Sequence, residues 1–187
     1  MNAQPRLIRR AGLAVSAWRN GAGRKADIAT GPGWLVGFAF LDGDAPFSEY
    51  LGVDRTITLI EGPGFTLDFA AAAPALVAVR FDPKPFDGGL PTQCRIAGGP
   101  CVVLNAITER AAWAHDVVIG PLEGPIGPGP VGPGPVGPGI VVVLRGTAAL
   151  GEEVAGLHDS WQLAAPAVMQ ASPDALVALI RVLPRAA

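Results

Sequence analysis

A chain of 187 residues, half hydrophobic and 16% charged, can bury a sizeable core as one domain or two small ones, and is not disordered throughout. The net charge of −2 with scattered basic residues leaves no nucleic-acid footprint, and no apolar run reaches the ~20 residues of a membrane-crossing helix. The 25 glycines and 19 prolines point to many turns and short strands and away from long helices.

In chain order, Arg9-Arg10 ahead of Ala11–Ala17 is a faint export-signal pattern. Its apolar part is short and runs into Trp18-Arg19-Asn20, so no signal peptide and a cytoplasmic protein are expected. Leu7–Arg9 and Leu13–Trp18 read as strands, and Asn20-Gly21-Ala22-Gly23 as a turn. Gly21–Ala26 satisfies GxGxxA, but Thr30-Gly31-Pro32-Gly33 stops any helix that a dinucleotide site would need. Trp34–Phe40 is an apolar strand in which Gly37 marks a bulge or close packing.

The stretch Pro46–Gly62 organises the first half. Its alternating end, Thr56–Ile60, predicts a strand with one face buried; Gly62-Pro63-Gly64 turns the chain into Phe65–Phe69 to complete a hairpin. Leu76–Val79 is a further strand, Phe81–Pro91 a loop by composition, and Gln93–Ile96 and Val102–Ile107 short strands. Cys94 and Cys101 fit no zinc spacing; they read as two buried thiols, with a disulfide across a hairpin as the alternative.

Trp113–Ile119 opens a second block. Gly124–Gly139 is a Gly/Pro tract without the glycine at every third place that collagen requires, and reads as a dispensable surface loop. Ile140–Leu144, Ala148–Leu150, Trp161–Leu163 and Pro166–Met169 follow as short strands. Ala175–Leu183 fits a helix or a buried strand equally. His115 and His158, the two histidines, have no spacing that supports a hydrolase triad.

The two halves repeat one unit: Ile57–Gly62 matches Val141–Gly146, each a strand closed by a charge and a glycine. This half-repeat resembles a cupin barrel, which implies an all-β fold of two cupin-like β-barrels, a bicupin. Residues 1–110 would form the N-terminal barrel with the ligand site, and 111–187 the C-terminal barrel. Metal-binding cupins carry G-x5-H-x-H-x3,4-E-x6-G. With Gly62 as the closing glycine, Arg55 takes the glutamate position and no histidine falls among Ser48–Leu51; with Gly146, Gly139 takes it. Neither half then has the ligands for a divalent metal, and no cofactor is expected. A cation at that place implies an anionic ligand held by a charge-assisted contact.

The motifs Trp18–Gly23, Pro46-Phe47-Ser48, Gly52–Thr56, Leu59–Gly62, Pro85–Gly89 and Leu104-Asn105 with Arg110 are similar, in order, to those of the HutD/Ves family. Lys25-Ala26-Asp27-Ile28 departs from its T-R-E-[IV], and Val103 and Ile107 from its later acid and methionine. The resemblance implies a bacterial cytoplasmic bicupin associated with histidine utilisation, regulatory through binding a small metabolite. The candidate ligand-binding set is Trp18, Arg19, Asn20, Phe47, Arg55 and Asn105, with Arg55 pairing a carboxylate, Asn20 and Asn105 donating or accepting hydrogen bonds, and Trp18 forming a wall. No catalytic residue is assigned. The ligand expected by analogy is a urocanate-like or N-substituted-glutamate-like acid, with no nucleic acid and no membrane. One alternative is a metal-independent cupin isomerase or lyase using Glu49, Asp54, Glu61 or His115. A structural dimerising partner is another, since strand edges leave a homodimer open.

Overall fold

The computed structural model of the chain describes residues 4–123, 125–126 and 138–185. Most of the Gly/Pro tract, and with it the surface-loop expectation, lies outside the described residues. The first strands are β1 (Arg6–Ile8), β2 (Val15–Ala17), β3 (Arg24–Gly31), β4 (Trp34–Leu41), β5 (Ala45–Pro46) and β6 (Val53–Glu61). They are followed by β7 (Phe65–Phe69), β8 (Ala75–Val77), β9 (Lys84–Asp87), β10 (Thr92–Ile96) and β11 (Cys101–Glu109). The second block holds β12 (Trp113–Gly120), β13 (Pro125–Ile126), β14 (Gly139–Arg145), β15 (Ala148–Leu150) and β16 (Glu153–Ala155), then β17 (Ser160–Leu163), β18 (Ala167–Val168), β19 (Gln170–Ala171) and β20 (Leu176–Pro184). A single 3-10 turn, Arg10–Gly12, is the one helical element among the described residues. The chain is all-β, as its glycine, proline and alternation patterns imply.

Two compact units result, 14–111 and a second made of 1–13 with 112–187. In the 14–111 unit a six-stranded sheet, β2-β3-β4-β11-β6-β9, faces a four-stranded sheet, β5-β10-β7-β8. Ile57, Leu59, Phe65, Leu67, Val77, Cys94 and Val103 fill the core of this unit. Each large side chain taken out of water there contributes about 1.5–3 kcal/mol. The strand Thr56–Ile60 departs from expectation, because both of its faces are buried: Ile57 and Leu59 on one, Thr56, Thr58 and Ile60 on the other. Cys94 and Cys101 are free, buried thiols.

Two segments form strands where the sequence pattern did not announce them. Lys25, Ala26 and Asp27 are poor strand formers, yet β3 pairs with β4 from Arg24↔Phe40 to Gly31↔Trp34 and buries Ala26, Ile28 and Ala29. The pairing absorbs Ile28 as a bulge, which carries the glycine turn into a strand and leaves no helix for a dinucleotide. Inside the stretch read as a loop, β9 pairs with β6, with Arg55 directly opposite Phe86. Proline is tolerated there because β9 is an edge strand.

In the other unit, β1-β17-β14-β20-β12 form a five-stranded sheet, with β16-β15-β19 and β13-β18 as smaller ones. β1 pairs with β17 from Arg6↔Gln162 to Ile8↔Ser160, so residues 1–13 belong with this unit. Leu176–Pro184 is a strand, which resolves the open helix-or-strand reading; its alternate residues Val177 and Leu179 enter a core with Val141, Val143, Trp161 and Leu163. The repeat is visible in three dimensions: Gly62 and Gly146, which end β6 and β14, both have positive φ, +103° and +67°. A Cβ on Gly62 would lie 2.5 Å from the Pro100 carbonyl and one on Gly146 2.3 Å from Ser172 Oγ, so both positions exclude side chains.

Asp159 ties the N-terminal segment to this unit. Its Oδ1 accepts the Arg10 N–H at 2.9 Å, and its Oδ2 accepts Arg9 Nη1 at 2.7 Å and the Gly156 N–H at 3.1 Å. Burial raises the carboxyl's pKa, but these donors outweigh it and hold it below the usual 3.8. A depressed carboxylate contributes stability that is present at neutral pH and lost as pH falls through its folded value. Asp159→Asn is therefore expected to lower the melting temperature at pH 7 by about 2–4 °C and to flatten its fall below pH 3.8 relative to wild type, read by circular dichroism. An unchanged acid limb in the variant would refute this role.

Candidate functional site

Strand periodicity puts Arg55, Ile57 and Leu59 of β6 on the inner face of the six-stranded sheet, beside Ile107, Asn105 and Val103 of β11. Leu35, Gly37 and Ala39 of β4 continue this face. Arg55 stands at the end of the face nearest the start of β6 and is only 7% exposed. One Nη2 hydrogen of its guanidinium is donated to Asn105 Oδ1, at 3.3 Å. The Phe47 and Phe86 rings each lie 5.0 Å from its central carbon, a cation–π arrangement. Its Nε is buried without a hydrogen-bond partner. Burial lowers the pKa of Arg55 to about 10, with Tyr50 pulling it the other way, so it remains charged at neutral pH.

The neighbouring acid does not neutralise it. Asp54 is on the opposite side of β6 and accepts Arg110 Nε at 2.8 Å. Arg110 also reaches Asp87 at 3.1 Å, and Asp54 and Asp87 are cross-strand partners on β6 and β9. The bridging arginine relieves the repulsion between these two carboxylates and holds β9, with Phe86, against Arg55. The Gly89 N–H and then Arg110 keep the Asp87 pKa below its usual value.

A small cavity of about 60 Å³, partly open to solvent, lies over Arg55. Trp18, Leu35, Phe47 and Ile107 give it apolar walls, and Lys25, Ser48, Tyr50, Arg55 and Asn105 its polar groups. Ser48 Oγ is a second buried atom without a partner. The loop carrying Phe47, Ser48 and Tyr50 is pinned at two points, by the Phe47 N–H to the Thr92 carbonyl (2.9 Å) and the Tyr50 N–H to the Gly88 carbonyl (2.8 Å).

Of the six expected residues, Trp18, Phe47, Arg55 and Asn105 meet at this cavity. Trp18 contacts Phe47 edge-on at 5.3 Å, its indole N–H spent on the Arg24 carbonyl. Asn20 does not line the cavity: Nδ2 donates to the Pro46 carbonyl (2.9 Å) and Oδ1 accepts the Ala22 N–H (3.1 Å). It braces the glycine turn against the residue before Phe47. Arg19 is exposed and also outside the lining. Sequence reasoning missed Lys25, Ser48, Tyr50 and Phe86. The alternation of β3 and β9 could have found Lys25 and Phe86, had those segments been read as strands.

The lining carries no imidazole, thiol or carboxylate, a donor set that does not fit the divalent metal of many cupins. Among the described residues no group of three or more His, Cys, Asp or Glu side chains comes together. Glu49, Asp54 and Glu61, the acids of the enzyme alternative, are not in the lining either, and His115 lies on β12 of the other unit.

The fold and site define a two-barrel, cupin-like protein with a buried arginine at the cavity of its 14–111 unit. The family profile HutD matches residues 10–128, and the chain belongs to the HutD family. It is 28% identical over 111 residues to an uncharacterised 21.2 kDa protein in the hutC 3′ region of Pseudomonas putida, covering 56% of this chain and 58% of that one. Protein Ves of Citrobacter koseri is 31% identical over 105 residues, covering 52% of this chain and 54% of Ves. The match thus spans little more than half the length of these curated relatives. HutD of Pseudomonas fluorescens SBW25 superposes over 98% of this chain and 100% of its own, with a TM-score of 0.79 at 20% identity. Ylba of E. coli covers 100% and 94%, with 0.69 at 10%. At these identities the superpositions establish a shared bicupin fold.

Gly88 packs against the stem of Arg55: a Cβ there would lie 2.9 Å from Arg55 Cδ and 3.1 Å from the Val53 carbonyl. Gly88→Ala should cost about 1–3 kcal/mol through this overlap. A variant melting like wild type would show that the wall yields freely.

Proposed function

We propose that this protein binds a small organic acid in the cavity of the 14–111 unit, with the ligand carboxylate on Arg55, and that it does so without catalysis. The observation that carries the reading is the guanidinium itself: buried, charged, with a single neutral acceptor and an orphaned Nε. An uncompensated buried charge costs several kcal/mol, and an anion entering the cavity would remove that cost. Phe47 and Phe86 occupy ring-facing positions against the guanidinium, which favours an approach along its edge, the geometry a planar carboxylate uses. Trp18 and Phe47 supply an apolar wall for the rest of the ligand.

Membership of the HutD family, and similarity to a protein in a hutC 3′ region, support a regulatory role in histidine utilisation with a urocanate-like or N-substituted-glutamate-like ligand. Two free buried thiols suit a reducing cytoplasm. No helix among the described residues is long and apolar enough to cross a membrane.

Arg55→Lys keeps the charge and loses the fork, and is expected to weaken binding by about one to two decades. Arg55→Met should abolish it while leaving the melting temperature unchanged or higher, since it removes an unpaired buried charge. Titration calorimetry with a panel of small carboxylic acids, beside thermal melts of both variants, tests this. Affinity retained with stability lost would make Arg55 structural and overturn the reading.

A further inference from the structure

The five-stranded sheet of the second unit ends in an edge unlike the others. β12 pairs with β20 on one side and, among the described residues, with no strand on the other. Every other edge strand among these residues has four residues or fewer, and β9 also carries Pro85. Short edges and edge prolines keep sheets from joining. β12 has eight residues, with no proline and no lysine. None of the eight is buried, and Val118 is 48% exposed. Asp116 is paired with Arg181 of β20 at 3.3 Å, so its charge does not guard the edge.

The register fixes which backbone groups face outward. The Arg185 N–H donates to the Ala112 carbonyl at 2.9 Å, so these two residues form a hydrogen-bonded pair. Alternation along the unbroken register then commits Ala114, Asp116, Val118 and Gly120 to β20. It turns the N–H and C=O groups of Val117 and Ile119 toward the open edge. Only an extended backbone meets donors and acceptors at that spacing. A second β12 running antiparallel is such a backbone, and a two-fold axis makes the strand its own partner. Centred on Val118, the pairing lets Val117 exchange both hydrogen bonds with Ile119 of the other copy, and the reverse. Val118 then meets its own counterpart in a close, non-hydrogen-bonded pair, and Asp116 lies opposite Gly120. Apolar side chains meet on both faces, and no like charges are opposed. Centring on Asp116 would set two carboxylates against each other, and centring on Val117 would set Asp116 against Val118.

We propose that β12 is a self-pairing surface: two copies of this chain join through it, antiparallel and in register about Val118, so that their five-stranded sheets become one continuous sheet. This surface is independent of the cavity over Arg55, which lies in the other unit.

Light scattering on the full chain, over a concentration series, is expected to give twice the chain mass. Val117→Pro deletes an outward donor and keeps every β12–β20 hydrogen bond, and an edge tolerates proline, so it should halve the mass. Val118→Lys opposes two ammonium groups at the axis and should do the same. Thermal melts confirm that both variants fold. Val118→Cys should become a disulfide-linked dimer on mild oxidation, read on a non-reducing gel, because cross-strand Cβ atoms at the axis are within bonding reach. Val117→Cys should not, because its two copies are diagonal neighbours, and the native Cys94 and Cys101 are buried. Should either proline or lysine variant fail to fold, the cysteine pair still decides the register. A wild-type chain that stays at single mass, a dimer that survives both Val117→Pro and Val118→Lys, or equal cross-linking of the two cysteine variants would each overturn the proposal.

Discussion

The constraint on which the 14–111 unit depends is the burial of Arg55 without a counter-ion among the described residues. A guanidinium in an apolar wall is tolerated only if its surroundings replace part of its hydration. Here that replacement is partial by construction. Two phenyl rings and one amide oxygen meet the cation, and the nearest acid in sequence is turned away. Asp54 sits on the other side of β6 because successive strand residues point to opposite faces, and there it is committed to Arg110. The ion pair among Asp54, Asp87 and Arg110 is partly exposed and by itself contributes little stability. Its effect is positional: it fixes the edge strand that brings Phe86 to Arg55.

The rest of the N-terminal motif serves the same wall. Asn20, Trp18 and the glycine turn spend their polar groups on the backbone at Ala22, Arg24 and Pro46. What remains of Trp18 is an apolar surface supporting Phe47 edge-on. The segment that looks most like a binding motif in the linear chain is therefore largely scaffolding, one residue removed from the cavity.

The other unit shows what the repeat lacks. Its strand equivalent to β6 begins at Gly139, the position aligned with Arg55, and runs through Ile140–Leu144 with every residue buried. On that inner face Val141 and Val143 join Trp161 and Leu163 in an apolar core, and the cation level with Gly139, Arg181 of β20, is paired with Asp116 at 3.3 Å.

Much of this was legible in the chain. Glycine and proline usage, the alternating runs around Thr56–Ile60 and Phe65–Phe69, and the glycine-closed repeat dictate short strands and two like units, since those signals are local and rest on backbone sterics. The position of Arg55 on a cupin-like framework was legible for the same reason. Pairing was not. Arg24–Gly31 and Lys84–Asp87 are poor strand formers by composition and become strands only because β4 and β6 offer them unpaired backbone groups and a buried face. The sites of Lys25, Asp27 and Phe86 follow from those pairings. Likewise, whether Asn20 faces a ligand or a carbonyl depends on where Pro46 ends up, 26 residues away. Which residue types are present is a property of the sequence; which of them share a face, and which are left buried without a partner, is set by the register between distant strands, and only the tertiary structure decides that.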